Sequence, residues 1–202
     1  MTIDQLTEWV NQTRHAAAHP EHEWDVKALD WPLTPESVVV EVGGYKGRWA
    51  LQIASRYQPR LYVFEPQPWA AAVCRAVLGE SATIMKYALG TTTGPADMGE
   101  WETDGCSLVK PGGSPVWMRE IGAAFRDLGI DHIDLLLMNI EGYEYTLLPH
   151  MLDQGTYPDR LMVQFHDHAD VGGAGRRAID ACMADRYQVA WEYWALTAWE
   201  KR

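Results

Sequence analysis

Apolar runs of strand length recur along the chain: Ser37–Val42 (SVVVEV), Leu61–Phe64 (LYVF), Thr83–Leu89 (TIMKYAL), Ile133–Met138 (IDLLLM) and Leu161–Phe165 (LMVQF). They are continuous rather than alternating, as expected for strands buried on both faces of a parallel sheet. Between them, Trp49–Arg56, Trp69–Leu78, Arg119–Leu128, Tyr143–Leu152 and Arg176–Asp185 have helical composition. Gly79, Gly129 and Gly155 stand where such helices would end. The βαβα order predicts an open α/β sheet. The tail YQVAWEYWALTAWEKR is β-rich with no long helix between its halves, so it predicts two closely connected strands. The whole reads as a mostly parallel seven-stranded sheet with a C-terminal antiparallel hairpin.

Upstream, Thr2 or Asp4 can cap a helix through His15 that carries Leu6, Trp9, Val10 and Thr13 on one stripe. His19–Pro35 follows as an extended stretch containing Pro and Trp. Residues 1–36 are therefore expected as an N-terminal helix and arm, and residues 37–202 as the domain. The segment Gly90–Val116, with its TTTG, DGCS and PGGSP clusters, is too long for a plain connection and is expected to overlie the active site.

Composition narrows the classes. The chain has 202 residues, 47% of them hydrophobic, enough for a full core in one compact domain. With 17 Lys+Arg against 28 Asp+Glu the net charge is −11, which disfavours nucleic acid and anionic membranes as partners. No stretch approaches the roughly 20 apolar residues of a membrane span, and MTIDQLTEWVNQTRH lacks the basic-then-apolar order of a signal peptide. A cytoplasmic location is expected. Cys74, Cys106 and Cys182 are odd in number and far apart, which fits neither a disulfide framework nor a metal knuckle. Ten Trp and nine Tyr suit core packing, ligand pockets and interfaces, including one between copies of the chain.

Candidate chemistry gathers at the ends of the predicted strands. The first runs into Glu41-Val42-Gly43-Gly44-Tyr45-Lys46-Gly47, an E-x-G-x-x-x-G turn before a helix; its glycines let a ligand approach the strand end and the helix N-terminus. It is neither G-x-G-x-x-G nor a G-K-[ST] P-loop. The second strand ends at Glu65 in VFEPQP, 24 residues after Glu41, the separation at which a βαβ unit sets an acid beside a ribose. Glu65 can instead cap the next helix, in whose first turn Pro66 is expected. Asn139 and Glu141, before the Gly142 turn, fall at the carboxyl end of the fourth strand, where open α/β sheets bind ligands. Glu144 is expected as a solvated or capping charge. The fifth strand delivers Gln164, His166, Asp167 and His168 to the same rim. An imidazole of ordinary pKa near ~6.5 is mostly neutral at pH 7, so His166 is the expected general base, with Glu141 orienting it or the acceptor and Asn139 hydrogen-bonding the substrate or cofactor.

Taken together, these residues resemble the FkbM-type family of S-adenosylmethionine-dependent methyltransferases. The likeness runs from about Val38 to Phe165 and is most specific at Ile133–Leu148, similar to the family's "IDLLKIDVEGAE…LL"; EVGGYKG, VFEPQP, YALG and DGCSL surround it in the expected order. The resemblance implies a Rossmann-like class I methyltransferase fold in which Glu41, Gly43, Tyr45 and Gly47 form the cofactor loop. Glu65 and Pro66 would lie at the ribose, Ala88 at the adenine, and Asn139, Glu141 and Gly142 at the catalytic rim. Tyr45 stands where the family commonly has Asn, Met138 where it has Lys, and Asn139 where it has Asp. The loss of that acid, and the spacing of Glu141, His166, Asp167 and His168, imply no divalent metal.

The activity expected is therefore methyl transfer from S-adenosylmethionine, with S-adenosylhomocysteine as product, to an oxygen of a small molecule such as a sugar or natural product. Trp101, Trp117 and Trp194 are candidate stacking surfaces for that acceptor. Two alternatives stay open: a non-catalytic nucleoside- or cofactor-binding module or partner subunit, and a nicotinamide oxidoreductase, which the missing G-x-G-x-x-G and the terminal hairpin disfavour.

Overall fold

The computed structural model describes residues 1–19, 26–100, 106–109 and 112–202. In chain order the elements are α1 (Ile3–Ala18), β1 (Val38–Val42), α2 (Arg48–Tyr57), β2 (Arg60–Phe64), α3 (Pro68–Leu78), β3 (Thr83–Met85) and β4 (Ala88–Gly90). These are followed by β5 (Gly94–Glu100), β6 (Cys106–Ser107), β7 (Ser114–Glu120), α4 (Ile121–Leu128) and β8 (Leu135–Met138). The chain continues through α5 (Glu144–Asp153), β9 (Arg160–Gln164), α6 (Ala174–Met183), β10 (Tyr187–Tyr193) and β11 (Leu196–Lys201).

Seven strands form the main sheet in the order β10-β11-β9-β8-β1-β2-β3. β3, β2, β1, β8 and β9 are parallel, and β11 is antiparallel to both β9 and β10. The expected terminal hairpin is present, with its second strand laid back between β9 and β10.

Alternate residues of each strand supply the two halves of the core. Val38, Val40, Val42, Leu136, Met138, Leu161 and Val163 pack on one face, against α4, α5 and α6. Val39, Leu61, Val63, Leu135, Leu137 and Met162 pack on the other, against α2 and α3. Glu41 is an odd-numbered position of β1 and so shares its face with Val39. The arm before β1 completes that face: Ala28, Leu29, Trp31 and Leu33 are buried in it, and Leu6, Trp9 and Val10 of α1 pack beside them. Thr2 closes a capping box with Gln5 at the start of α1, so of the two expected caps it is Thr2 that serves.

Among the boundaries that differ from expectation, three bear on the site. Thr83–Leu89 is two strands in different sheets, because β3 pairs with β2 whereas β4 pairs with β7. Arg119 and Glu120 belong to β7, since the Glu120 carboxylate accepts from Gly122 N and Ala123 N and so starts α4 at Ile121. Pro66 precedes α3; Pro68 takes the first helical position instead. Described residues after β4 form strands: β4-β7-β5-β6 make a second, four-stranded sheet. Among the described residues no helix is long and apolar enough to cross a membrane.

Candidate functional site

The turn after β1 is drawn against the end of β2, because Gly43 N and Gly44 N both donate to Phe64 O, at 2.9 and 3.3 Å. Gly43 has φ of 91°, and a Cβ there would stand 1.9 Å from Asn139 O. Only glycine lets the turn pass this close to the end of β8. Tyr45 follows in the left-handed region at φ 46°, a conformation that Asn tolerates better than most residues, and Asn is what the resembled family commonly carries there. Its amide donates to Glu65 Oε2 at 2.7 Å, while Gln67 N donates to Glu65 Oε1 at 2.8 Å. Glu65 therefore both fastens the turn and supports the approach to α3, and it remains on the pocket wall.

That pocket has a volume of about 440 Å³ and lies at the carboxyl ends of β1, β2 and β8. Of the expected cofactor residues, Gly43, Tyr45, Glu65, Pro66, Ala88 and Asn139 line it, together with Glu141. Phe64, Leu89, Tyr143, Met98 and Leu108 add an apolar wall. Met98 and Leu108, two described residues of the glycine-rich segment, thus contribute to the pocket wall. Gly47 sits behind the wall as the N-cap of α2. Glu41 opens instead onto a smaller cavity of about 170 Å³ that shares Gly43, Tyr45 and Asn139 with the first.

Burial makes this side of the pocket electrostatically unusual. Glu41 is 3% exposed and its Oε2 has no hydrogen-bond partner among the described residues. Desolvation, reinforced by the nearby Glu65 charge, holds its pKa well above the ordinary carboxylate range. Burial also pushes Glu65 up to about 7, against the opposing pull of the Gln67 and Tyr45 amides. Asn139 Oδ1 is likewise buried without a partner. Glu41 Oε2 and Asn139 Oδ1 are thus two buried acceptors around one turn that take no hydrogen bond among the described residues. Such a pair fits a cationic or hydrogen-rich ligand end.

On the other side, Glu141 adopts φ 54° just after β8, and Ser107 Oγ donates to its carbonyl. His166, immediately past β9, stands between two carboxylates: Nδ1 is 2.9 Å from Glu144 Oε1 and Nε2 is 3.4 Å from Glu141 Oε2. Burial of the ring opposes the charge, but the bonds to Glu141 and Glu144 outweigh it and raise His166 to about 9. The imidazole is therefore protonated at neutral pH, not neutral as its ordinary pKa implied, and it does not line the main pocket. The His166 hydrogen bond lowers the Glu141 pKa despite partial burial. Glu144 is the residue whose environment sequence reasoning missed. It is fully buried rather than solvated, and it accepts from Gly142 N, His166 N and His166 Nδ1. The signal that could have found it was the last acid of the EGYE segment, two residues past the Gly142 turn.

Two of the three expected stacking residues are not brought to the pocket. Trp117 is 53% exposed on β7 and Trp194 is 94% exposed in the β10–β11 turn, and neither lines the pocket; Trp101 lies outside the described residues. Cys74 is buried, its thiol donating to Tyr45 O at 2.9 Å, and Cys182 is exposed. Among the described residues one group could hold a metal ion, His132, Asp134 and Asp159, at the amino ends of β8 and β9 and so across the sheet from the pocket.

No protein-family model matches the chain, and no curated protein matches it by sequence. Solved structures do match. An rRNA methylase from Streptococcus thermophilus aligns over 91% of this chain and 96% of its own, at 11% identity and a TM-score of 0.55. A Klebsiella pneumoniae protein described as an O-methyltransferase aligns over 100% and 92%, at 15% identity and a TM-score of 0.55. The fold is that of the Rossmann-like methyltransferases. Podospora anserina methyltransferase PaMTH1, solved with S-adenosylhomocysteine bound, aligns over 100% of this chain and 89% of its own, at 14% identity and a TM-score of 0.50.

Proposed function

We propose that the chain is an S-adenosylmethionine-dependent methyltransferase acting on a hydroxyl oxygen of a small molecule. The observation that carries this is the pair of buried, unpartnered oxygens, Glu41 Oε2 and Asn139 Oδ1, set around the glycine turn next to Glu65. Those acceptors suit the ammonium end of the cofactor, and Glu65, already on the wall, suits its ribose hydroxyls. Ala88, Leu89 and Met98 offer the apolar surface an adenine requires. The similarity of Ile133–Leu148 to the FkbM-type segment supports the same reading and narrows it to that family.

When bound, S-adenosylmethionine supplies a methyl group on a positively charged sulfur, which keeps the bonding electrons as the methyl passes to oxygen. The chain's own work is placement and proton management, and placement alone can contribute roughly 7–11 kcal/mol. Glu141 faces the pocket as a carboxylate and takes the hydroxyl proton as the O–CH₃ bond forms. His166, charged and paired to it, holds it ionised and aimed. Base catalysis in this sense passes from His166, where sequence alone set it, to the Glu141–His166 pair. Asn139, which lines both cavities, offers its unpartnered Oδ1 to the substrate or to the methionine end of the cofactor.

The test is calorimetry of S-adenosylmethionine and of nicotinamide cofactors on the wild-type protein and on Glu65→Ala. Wild type binds S-adenosylmethionine alone, and Glu65→Ala binds it about tenfold or more weakly, since a buried charge-assisted acceptor contributes about 1.5–3 kcal/mol. Equal affinity would reduce Glu65 to a brace for the Tyr45 turn. S-adenosylhomocysteine identified by mass in the purified protein would settle the class independently.

A further inference from the structure

We infer that Glu144 is a positioning residue, which orients His166 from behind and through it fixes the pocket-facing carboxylate of Glu141. Glu144 opens α5 and is 0% exposed, yet its carboxylate is fully engaged. Oε2 accepts from Gly142 N at 2.9 Å, and Oε1 accepts from His166 N at 2.8 Å and lies 2.9 Å from His166 Nδ1. A bond to the His166 amide alone would serve only to join the ends of β8 and β9. The second bond, to Nδ1 of the same residue, fixes the ring plane and requires a proton on Nδ1, so Nε2 is turned toward Glu141 Oε2, 3.4 Å away. The ring is thus held on one side by a carboxylate that never reaches the pocket and presented on the other to one that lines it.

Among the described residues, the charged and titratable groups facing His166 are Glu141 from the turn after β8, Glu144 from α5, and His168 from the segment after β9, whose ring centre is 5.6 Å away. Two carboxylates against one neighbouring imidazole leave the ring in an anionic surrounding, and His166 is lifted to about 9. Removal of the Glu144 charge leaves one carboxylate.

This inference rests on the methyl-transfer reading only for its kinetic consequence, and the closing experiment separates the two. The histidine ring resonances of the full chain, labelled with ¹³C and ¹⁵N and free of ligand, are followed from pH 5 to 10 in wild type, Glu144→Gln and Glu141→Gln, with His166→Asn used for assignment. In wild type His166 titrates at least about one unit above ~6.5. In Glu144→Gln its midpoint falls by about one unit or more, and in Glu141→Gln it stays above the ordinary value because Glu144 is still in place. A wild-type midpoint near ~6.5, or a return to ~6.5 in Glu141→Gln alone, would overturn the inference, and this second variant decides it even if Glu144→Gln does not fold. With an acceptor in hand, Glu144→Gln lowers kcat and shifts the alkaline limb of the pH profile, while affinity for S-adenosylmethionine stays within about threefold of wild type. Absence of any S-adenosylmethionine binding by wild type would sink the methyl-transfer reading and leave the titration result standing.

Discussion

The Tyr45 amide donates to Glu65 Oε2 at 2.7 Å, so the turn after β1 and the acid ending β2 are one hydrogen-bonded unit. A ligand that draws on Glu65 therefore meets a carboxylate already aimed and partly satisfied. The same burial that aims it makes it responsive to pH.

Ligand-free stability is expected to fall as pH rises. Glu65, raised from 4.5 to about 7, keeps its proton in the folded state over a range where the unfolded chain has lost it. The folded state binds more protons there, so stability declines between those two values and then levels. His166, raised from 6.5 to about 9, contributes stability fully present below 6.5 and lost as pH passes through 9. Urea midpoints measured across pH 5 to 10 are expected to decrease through both windows, with Glu65→Gln flattening the lower and His166→Asn the upper. Midpoints that climb with pH would contradict both assignments.

Gly43→Ala is expected to destabilise the protein by at least about 2 kcal/mol, through left-handed strain and collision with the β8 terminus. Its Cβ would meet Asn139 O at 1.9 Å, whereas a Cβ at Gly79, φ 55°, meets no atom within 4 Å. Gly79→Ala is the control and should cost about 1 kcal/mol. Comparable melting temperatures for the two variants would show that the turn can retreat from β8.

Turnover, once the acceptor is known, is expected to survive chelation of divalent metals, because Glu141 and His166 are paired to each other and Asn139 offers no charge. His166→Ala is expected to lower it about 10²-fold with S-adenosylmethionine affinity nearly intact. Activity that vanishes with chelator and returns with Mg²⁺ or Zn²⁺ would point to metal chemistry, and near-normal turnover of His166→Ala would remove that residue from the reaction.

The sheet was legible because uninterrupted runs such as VVVEV and LLLM leave few alternatives to doubly buried strands. Glu65 and the glycine turn were legible because fixed spacing in a βαβ unit sets their distance. The lid sheet was not: β5 and β7 draw their order from pairing with each other, and Gly94, Pro95 and Pro115 within them signal turns when read alone. Nor was the state of His166, since its charge comes from Glu141 and Glu144, 25 and 22 positions earlier in the chain, and single-residue pKa values carry no trace of such neighbours. The prominence of Trp117 and Trp194 misled because aromatic abundance says nothing of direction.

β8 reaches its place beside β1 only after a long excursion: the Asp134 side chain accepts from Val38 N across 96 positions, against 20 for Tyr45 and Glu65. Loop-closure entropy makes the longer connection dearer by about 1.4 kcal/mol. The two walls of one pocket are thus tied with knots of different strength. Mild denaturant or a weakened core should loosen the wall carrying Asn139 and Glu141 first, while the turn held by Glu65 still keeps its shape.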